Sequence, residues 1–78
     1  MAKLTAAASR AARGLLKWSM RDLAEASGVS LPTILKLENE GTITDATADR
    51  ITDALAARNV EITNGDGTGA RLRTVEKS

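Results

Sequence analysis

The stretch Ser19–Glu40, SMRDLAEASGVSLPTILKLENE, decides the fold. It predicts two short helices joined by a tight turn. Ser19 is expected to cap the first helix, because its hydroxyl can accept a hydrogen bond from a free first-turn amide. Gly28 is expected to end that helix, since glycine takes a left-handed conformation without steric cost. Ser30 then caps the second helix, whose first turn tolerates Pro32 because amides there lack intrahelical partners.

The spacing of apolar residues in these two helices predicts which sides are buried. In the second helix, Ile34 and Leu37 lie three residues apart and form a buried stripe, and Val29 in the turn points inward. In the first, Leu23 and Ala24 face the same core. The second helix is therefore expected to present an exposed leading face made of Leu31, Pro32, Thr33 and Lys36.

This stretch resembles the helix-turn-helix of the Cro/repressor (Xre-type) family of bacterial and phage DNA-binding regulators. The resemblance extends more weakly over 5–55. Members of the family often have Gln at the start of the first of these helices, where it touches the DNA backbone. Met20 stands there in this chain, so that contact is not carried over. The matching residues are Leu23-Ala24, Gly28-Val29-Ser30, Thr33-Ile34 and Leu37-Glu38-Asn39, with Gly41 just beyond.

The resemblance implies that the second helix is a recognition helix, which enters the major groove of DNA. Leu31 and Pro32 would then contact a thymine methyl group, Thr33 a phosphate or base edge, and Lys36 guanine or a phosphate. The alternative is that these are ordinary solvent-exposed residues. The full set of predicted DNA-binding residues is Leu31, Pro32, Thr33, Lys36, Arg21, Lys17 and Ser30.

The resemblance also implies a structural role for two charged residues. Arg13 and Glu38 match positions at which the family has a partly buried Arg–Glu pair that links the first helix to the recognition helix. The alternative is two independent surface charges. If they pair, they hold the recognition helix in place and do not contact DNA themselves.

The rest of the chain predicts two further helices and a hairpin. A helix over 4–17 starts with Thr5 as a cap, and another runs from Thr44 to about residue 58. The loop over 39–43 has Gly41 as its breaker. After Asn59, two alternating segments flank a turn-forming cluster over 64–69, which is typical of a β-hairpin. Its apolar face is expected to carry Val60, Ile62 and Leu72, and its polar face Arg71 and Arg73.

Such a hairpin is marginally stable alone in water, so it needs a helix or a second copy of the chain to lie on. We expect it to lie on a second copy of the chain, with Val60, Ile62 and Leu72 as dimerisation residues. The alternative for Arg71 and Arg73 is that they extend a DNA-contacting surface.

Composition limits the possible functions. The chain has 78 residues, no Cys and no His, and a net charge of +1. This excludes thiolate metal sites and removes the commonest general base, so neither an enzyme nor a cofactor is expected. We expect a solvated acidic stripe, and not a metal site, from Asp45, Asp49 and Asp53. No apolar run reaches membrane-spanning length, and no signal peptide is visible. A cytoplasmic protein is expected.

The predicted fold is all-α: a four-helix Xre-type helix-turn-helix domain with a C-terminal β-hairpin. The domain covers 1–58, the hairpin 59–75 and a frayed tail 76–78. The predicted function is sequence-specific binding of double-stranded DNA in transcriptional control, most simply as a homodimeric repressor. The alternative is an antitoxin or another interaction module that binds a partner protein through the same small domain.

Overall fold

A computed structural model of the chain describes residues 4–63 and 69–72. Within these residues the chain forms four helices followed by one antiparallel hairpin, which confirms the predicted fold class. Residues 64–68 of the turn predicted over 64–69, residues 73–75 of the predicted hairpin, Arg73 among them, and the tail 76–78 lie outside the described residues. The elements, in chain order, are α1 (Ala6–Leu16), α2 (Met20–Ser27), α3 (Leu31–Glu38), α4 (Asp45–Ala56), β1 (Val60–Thr63) and β2 (Gly69–Leu72).

Each helix begins at a Ser or Thr hydroxyl that accepts a hydrogen bond from the amide three residues on. The capping residues are Thr5, Ser19, Ser30 and Thr44, as the sequence predicts. At Ser19 the arrangement is reciprocal, because the Asp22 carboxylate accepts from the Ser19 amide at 2.9 Å and the Ser19 hydroxyl accepts from the Asp22 amide at 3.0 Å. This capping box satisfies two amides that the helix itself leaves unpaired.

The helix ends differ partly from the prediction. Gly28 ends α2 in the left-handed region, with φ of 72°, as expected. The helix predicted over 4–17 is shorter, because α1 starts at Ala6 and Lys17 turns the chain with φ of 58°. After α3 the left-handed residue is Glu40, with φ of 68°, and not the predicted breaker Gly41.

The turn after α3 is a Schellman motif. The Glu40 amide donates to the Leu37 carbonyl at 3.0 Å, and the Gly41 amide donates to the Lys36 carbonyl at 2.7 Å. These bonds pair two carbonyls at the end of the helix. They also bring the backbone of Gly41 back against the last turn of α3.

One hydrophobic core joins the helices and the hairpin. The side chains of Leu23, Ile34, Ile51, Leu55 and Val60 are almost wholly buried in it. Trp18 packs at the margin of this core, and the Arg58 guanidinium lies 5.5 Å from the centre of its ring. Leu15 in α1 lies outside this core and is exposed.

The hairpin lies on its own helices. Val60 pairs with Leu72 and Ile62 with Ala70 across the strands; β2 packs along α1, and β1 packs against α1 and α4. Val60 and Ile62 belong to the common core, whereas Leu72 is 50% exposed. No helix in 4–63 is long and apolar enough to span a bilayer.

Candidate nucleic-acid interface

The outer face of α3 is the most distinctive exposed surface of the helix-turn-helix. Ile34, Leu37 and Glu38 are buried, so the opposite side of the helix points to solvent. Of the four residues predicted for the leading face, Pro32 and Lys36 are exposed, while Leu31 and Thr33 lie at its edges and are partly buried. The structure therefore keeps all four at or beside the outer face.

Two further residues share this face and were not predicted from the sequence. Leu35, which is 41% exposed, and Asn39, which is exposed at the end of the helix, lie one turn from Pro32 and Lys36. Helical spacing contained the signal, because residues three and four apart occupy the same side of a helix. An aliphatic side chain held in water beside a lysine is a good surface for contact with a thymine methyl group.

The hydroxyls at the start of α3 are partly engaged with each other. The Ser30 and Thr33 hydroxyl oxygens lie 2.8 Å apart, and the Ser30 oxygen also accepts from the Thr33 amide at 3.4 Å. These bonds fix the first turn of α3. Ser30 remains exposed and Thr33 partly exposed. One of the two hydroxyl protons is used in the bond between them, so the other remains free to donate to an outside oxygen.

The predicted basic residues are all exposed. Lys17 lies in the left-handed turn before α2, Arg21 in the first turn of α2 and Lys36 in the last turn of α3. Within 4–63 and 69–72, no hydrogen bond or ion pair engages the charged group of any of the three. Free cations of this kind can neutralise phosphates and release the counterions that surround DNA.

A buried ion pair holds the inner side of α3. The Arg13 Nε donates to Glu38 Oε2 at 2.8 Å, and Arg13 Nη2 donates to Glu38 Oε1 at 2.6 Å. The structure thus brings these two residues together in the two-point geometry that fits guanidinium to carboxylate. The Glu38 side chain is only 3% exposed and that of Arg13 is 19% exposed.

Two residues that the sequence reasoning missed extend this pair into a network. The Ser9 hydroxyl donates to Glu38 Oε2 at 2.6 Å, and Arg10 Nη1 donates to the Glu38 backbone carbonyl at 2.6 Å. Arg13 Nη1 also donates to the Trp18 carbonyl at 3.1 Å, which ties in the turn before α2. The sequence does not indicate this role for Ser9, because a serine among alanines is expected to be one more small core residue.

The network keeps both partners charged. Burial favours the neutral form of Glu38, but hydrogen bonds from Arg13 and Ser9 and the charges of Arg13 and Arg10 outweigh it and hold the Glu38 pKa below its usual value. The hydrogen bond to Glu38 raises the pKa of Arg13, against the effect of burial. A fully bonded, charged pair is a rigid link between α1 and α3.

Other charged residues do not join this surface. Asp45, Asp49 and Asp53 are exposed along α4, and no group of three potential metal ligands comes together in the described part of the chain. Arg71 Nε donates to Glu61 Oε1 at 2.8 Å across the hairpin. This exposed pair places Arg71 on the polar face, as predicted, with Glu61 as its partner.

The comparisons with known proteins agree with this geometry. The family model described as Helix-turn-helix (HTH_3) matches residues 10–58, well over half of the chain. The match runs from within α1 to just beyond α4 and contains α2, α3 and both partners of the ion pair. No curated protein and no solved structure matches the chain.

Proposed function

The chain belongs to the helix-turn-helix family of DNA-binding regulators, and from this we propose that it binds a specific duplex DNA sequence as a transcriptional regulator, most simply a homodimeric repressor. The observation that supports this proposal is that one side of α3 is fixed to the rest of the protein while the other is exposed. Its inner side is held by the Arg13–Glu38 pair. On its outer side Leu35 is 41% exposed, and among the described residues no hydrogen bond or ion pair engages the Lys36 ammonium.

In the proposed complex α3 enters the major groove with its first turn towards the bases. Leu31 and Pro32 offer apolar contact to a thymine methyl group, Thr33 a hydroxyl to a phosphate or base edge, and Lys36 an ammonium to guanine. Because bonds within the protein already hold α3, little further ordering of the helix is needed on binding. That pre-organisation is what the buried network contributes.

The second part of the proposed complex is contact with the DNA backbone. Arg21 and Lys17 lie beside α2, which in this architecture crosses the phosphate backbone. Ser30, exposed at the start of α3, is the remaining candidate for a phosphate contact. Such contacts position the domain but do not distinguish sequences.

We further propose that two copies bind a two-fold symmetric site, since one short recognition helix covers few base pairs. The sequence assigns dimerisation to Val60, Ile62 and Leu72. Val60 and Ile62 are buried within the protomer, so their part in a dimer is to hold the hairpin in place. Leu72, half exposed, is the member of this set that can contact a second chain directly.

The same exposed Leu72 favours a second candidate function, in which the hairpin contacts a different protein, as an antitoxin does with its toxin. The helix-turn-helix would be retained in that case. In both readings the protein acts in the cytoplasm, binds no cofactor and catalyses no reaction.

The test is selection of bound sequences from a random duplex pool, followed by a salt titration with the recovered site. We expect one recovered motif, with two-fold symmetry if the dimer is correct. We also expect the logarithm of the binding constant to fall steeply with the logarithm of salt concentration. As a control, Arg50→Ala removes one exposed positive charge from α4 and should bind the same motif. Failure to enrich any sequence at low salt would contradict the proposed function.

A further inference from the structure

Gly41 lies close to Lys36, and its lack of a side chain is not explained by its own backbone conformation. Glycine usually appears after a helix because it adopts positive φ. In this turn Glu40 takes the left-handed conformation instead, with φ of 68°. The absence of a side chain at position 41 therefore needs another physical reason.

The physical reason is that residue 41 has no room for a side chain. A Cβ atom on residue 41 would lie 2.6 Å from Lys36 Cγ and 2.8 Å from the Lys36 carbonyl oxygen. Both distances are well inside van der Waals contact, which for carbon atoms is about 3.5–4.0 Å. The Gly41 amide already donates to the same carbonyl at 2.7 Å. The bare backbone of Gly41 thus lies directly against the stem of Lys36.

From this contact we infer that Gly41 is a positioning residue for Lys36, directing the lysine stem and so the place where its ammonium meets a base. The inference rests on the proposed function, because it matters only if Lys36 reads DNA. Among the described residues no hydrogen bond or ion pair restrains that ammonium. The backbone of Gly41, which lies against the Cγ atom, therefore restricts the directions open to the stem near its base. A long side chain ordered in advance loses less freedom on binding.

The experiment measures base discrimination in four proteins: wild type, Gly41→Ala, Lys36→Ala and the double variant. Each binds the selected duplex and its single-base-pair variants at a temperature where circular dichroism shows it folded. We expect Gly41→Ala to lower discrimination at the base pair read by Lys36, by roughly fivefold or more. In the Lys36→Ala background the same change at 41 should alter discrimination much less, because the contact with Cγ is gone and only the contact with the residue-36 carbonyl, common to both backgrounds, remains.

Gly14→Ala is the matched control. Nothing lies within 4 Å of a Cβ built at position 14. This change adds the same methyl group at an exposed glycine and should leave discrimination at every base pair as in the wild type. A comparable loss in Gly14→Ala would show that the effect is not specific to the Lys36 contact.

The outcomes separate this inference from the proposed function. If the wild type selects no sequence, the function itself fails. If it does, and Gly41→Ala weakens all sequences equally, or lowers discrimination just as much without Lys36, Gly41 has a merely structural role and the inference is overturned. The same holds if Lys36→Ala leaves every base preference intact.

A second measurement covers the case in which Gly41→Ala does not fold. Carbon-13 relaxation of the free wild-type protein reports the mobility of the γ-methylene group of each lysine. The Lys36 group should be clearly more ordered than that of Lys17, which is also exposed. Equal mobility of the two groups would overturn the inference.

Discussion

Arg13 of α1 and Glu38 of α3, which are 25 positions apart in the chain, are joined by two hydrogen bonds of 2.8 Å and 2.6 Å. One side of α3 is thereby fixed to α1, and the other side is left free. Removal of either partner leaves a largely buried charge without its counter-charge, which is much more costly than removal of an exposed one.

Arg13→Ala and Glu38→Ala should each lower the free energy of unfolding by about 1–3 kcal/mol. The double variant should lose less than the sum, because the first change already breaks the pair. Chemical denaturation of the four proteins measures this coupling.

The exposed pair Glu61–Arg71 is the control for that cycle. Its side chains are 44% and 68% exposed, and pairs of this kind contribute little to stability because water screens them. Glu61→Ala and Arg71→Ala should therefore change stability little. Strict additivity at positions 13 and 38 would mean that the two residues do not interact in solution.

The stability of the protein should depend on pH through Glu38. Its pKa in the folded state lies below the usual value of 4.5. The resulting stabilisation is present above the unfolded-state pKa and is lost as pH falls through the folded-state pKa. The melting temperature of the wild type should therefore drop in acid below about pH 4.5 more steeply than that of Glu38→Gln.

Glu38→Gln is suitable because it keeps the shape of the side chain and removes its titration. At neutral pH it should be less stable than the wild type. In acid the difference between the two should shrink. A constant difference across the acid range would show that Glu38 does not titrate differently in the folded and unfolded states.

Lys17→Gly should stabilise the fold and weaken DNA binding at the same time. Lys17 has φ of 58°, a conformation that costs an L-residue with a side chain roughly 1 kcal/mol and costs glycine nothing. Loss of its charge removes one proposed phosphate contact. Thermal unfolding and binding titrations with the selected duplex measure the two effects.

Lys17→Ala separates these contributions, since it removes the charge and keeps the unfavourable conformation. It should bind DNA as weakly as Lys17→Gly but gain no comparable stability. If both variants bind as the wild type does, Lys17 is simply a solvated residue.

Lys36→Ala and Arg21→Ala should affect DNA binding in different ways. Lys36 on the outer face of α3 is proposed to read guanine, so its loss should relax preference at one base pair, by about 1–3 kcal/mol. Arg21 is proposed to contact phosphate, so its loss should weaken all sequences alike and flatten the salt slope by about one unit. Binding to single-base variants at several salt concentrations distinguishes them. A uniform loss in Lys36→Ala would make Lys36 a phosphate contact and leave specificity to 31–33 and DNA shape.

Leu72→Ser should convert a dimer to a monomer while leaving the fold intact, because Leu72 is half exposed and does not belong to the buried core. Val60→Ala, directly across the strands, is the contrasting change. It should destabilise the protomer by roughly 2 kcal/mol through lost burial and a cavity. Sedimentation velocity measures the association and thermal unfolding the stability. A Leu72→Ser protein that remains dimeric places the interface elsewhere.

The sequence alone determined where the helices begin, because each capping bond spans only three residues. The hydroxyls of Ser19 and Ser30 accept from amides within the next turn, so the signal lies in a short window. The same holds for Gly28, whose left-handed conformation follows from the absence of a side chain. Alternation likewise predicted both strands and an apolar face with Val60, Ile62 and Leu72, whereas the pairing of Val60 with Leu72 came from the structure.

The contacts that support the candidate site needed the tertiary structure. Ser9 reaches Glu38 across 29 positions of the chain, and nothing in its neighbourhood marks it as a partner for a carboxylate. Gly41 reads as a helix breaker, but its close approach to Lys36 exists only because Glu40 turns the chain back. A short-range sequence pattern predicts only the local backbone conformation that a residue prefers. Which faces meet is decided by packing of the whole chain, and that packing placed the hairpin on α1 and α4.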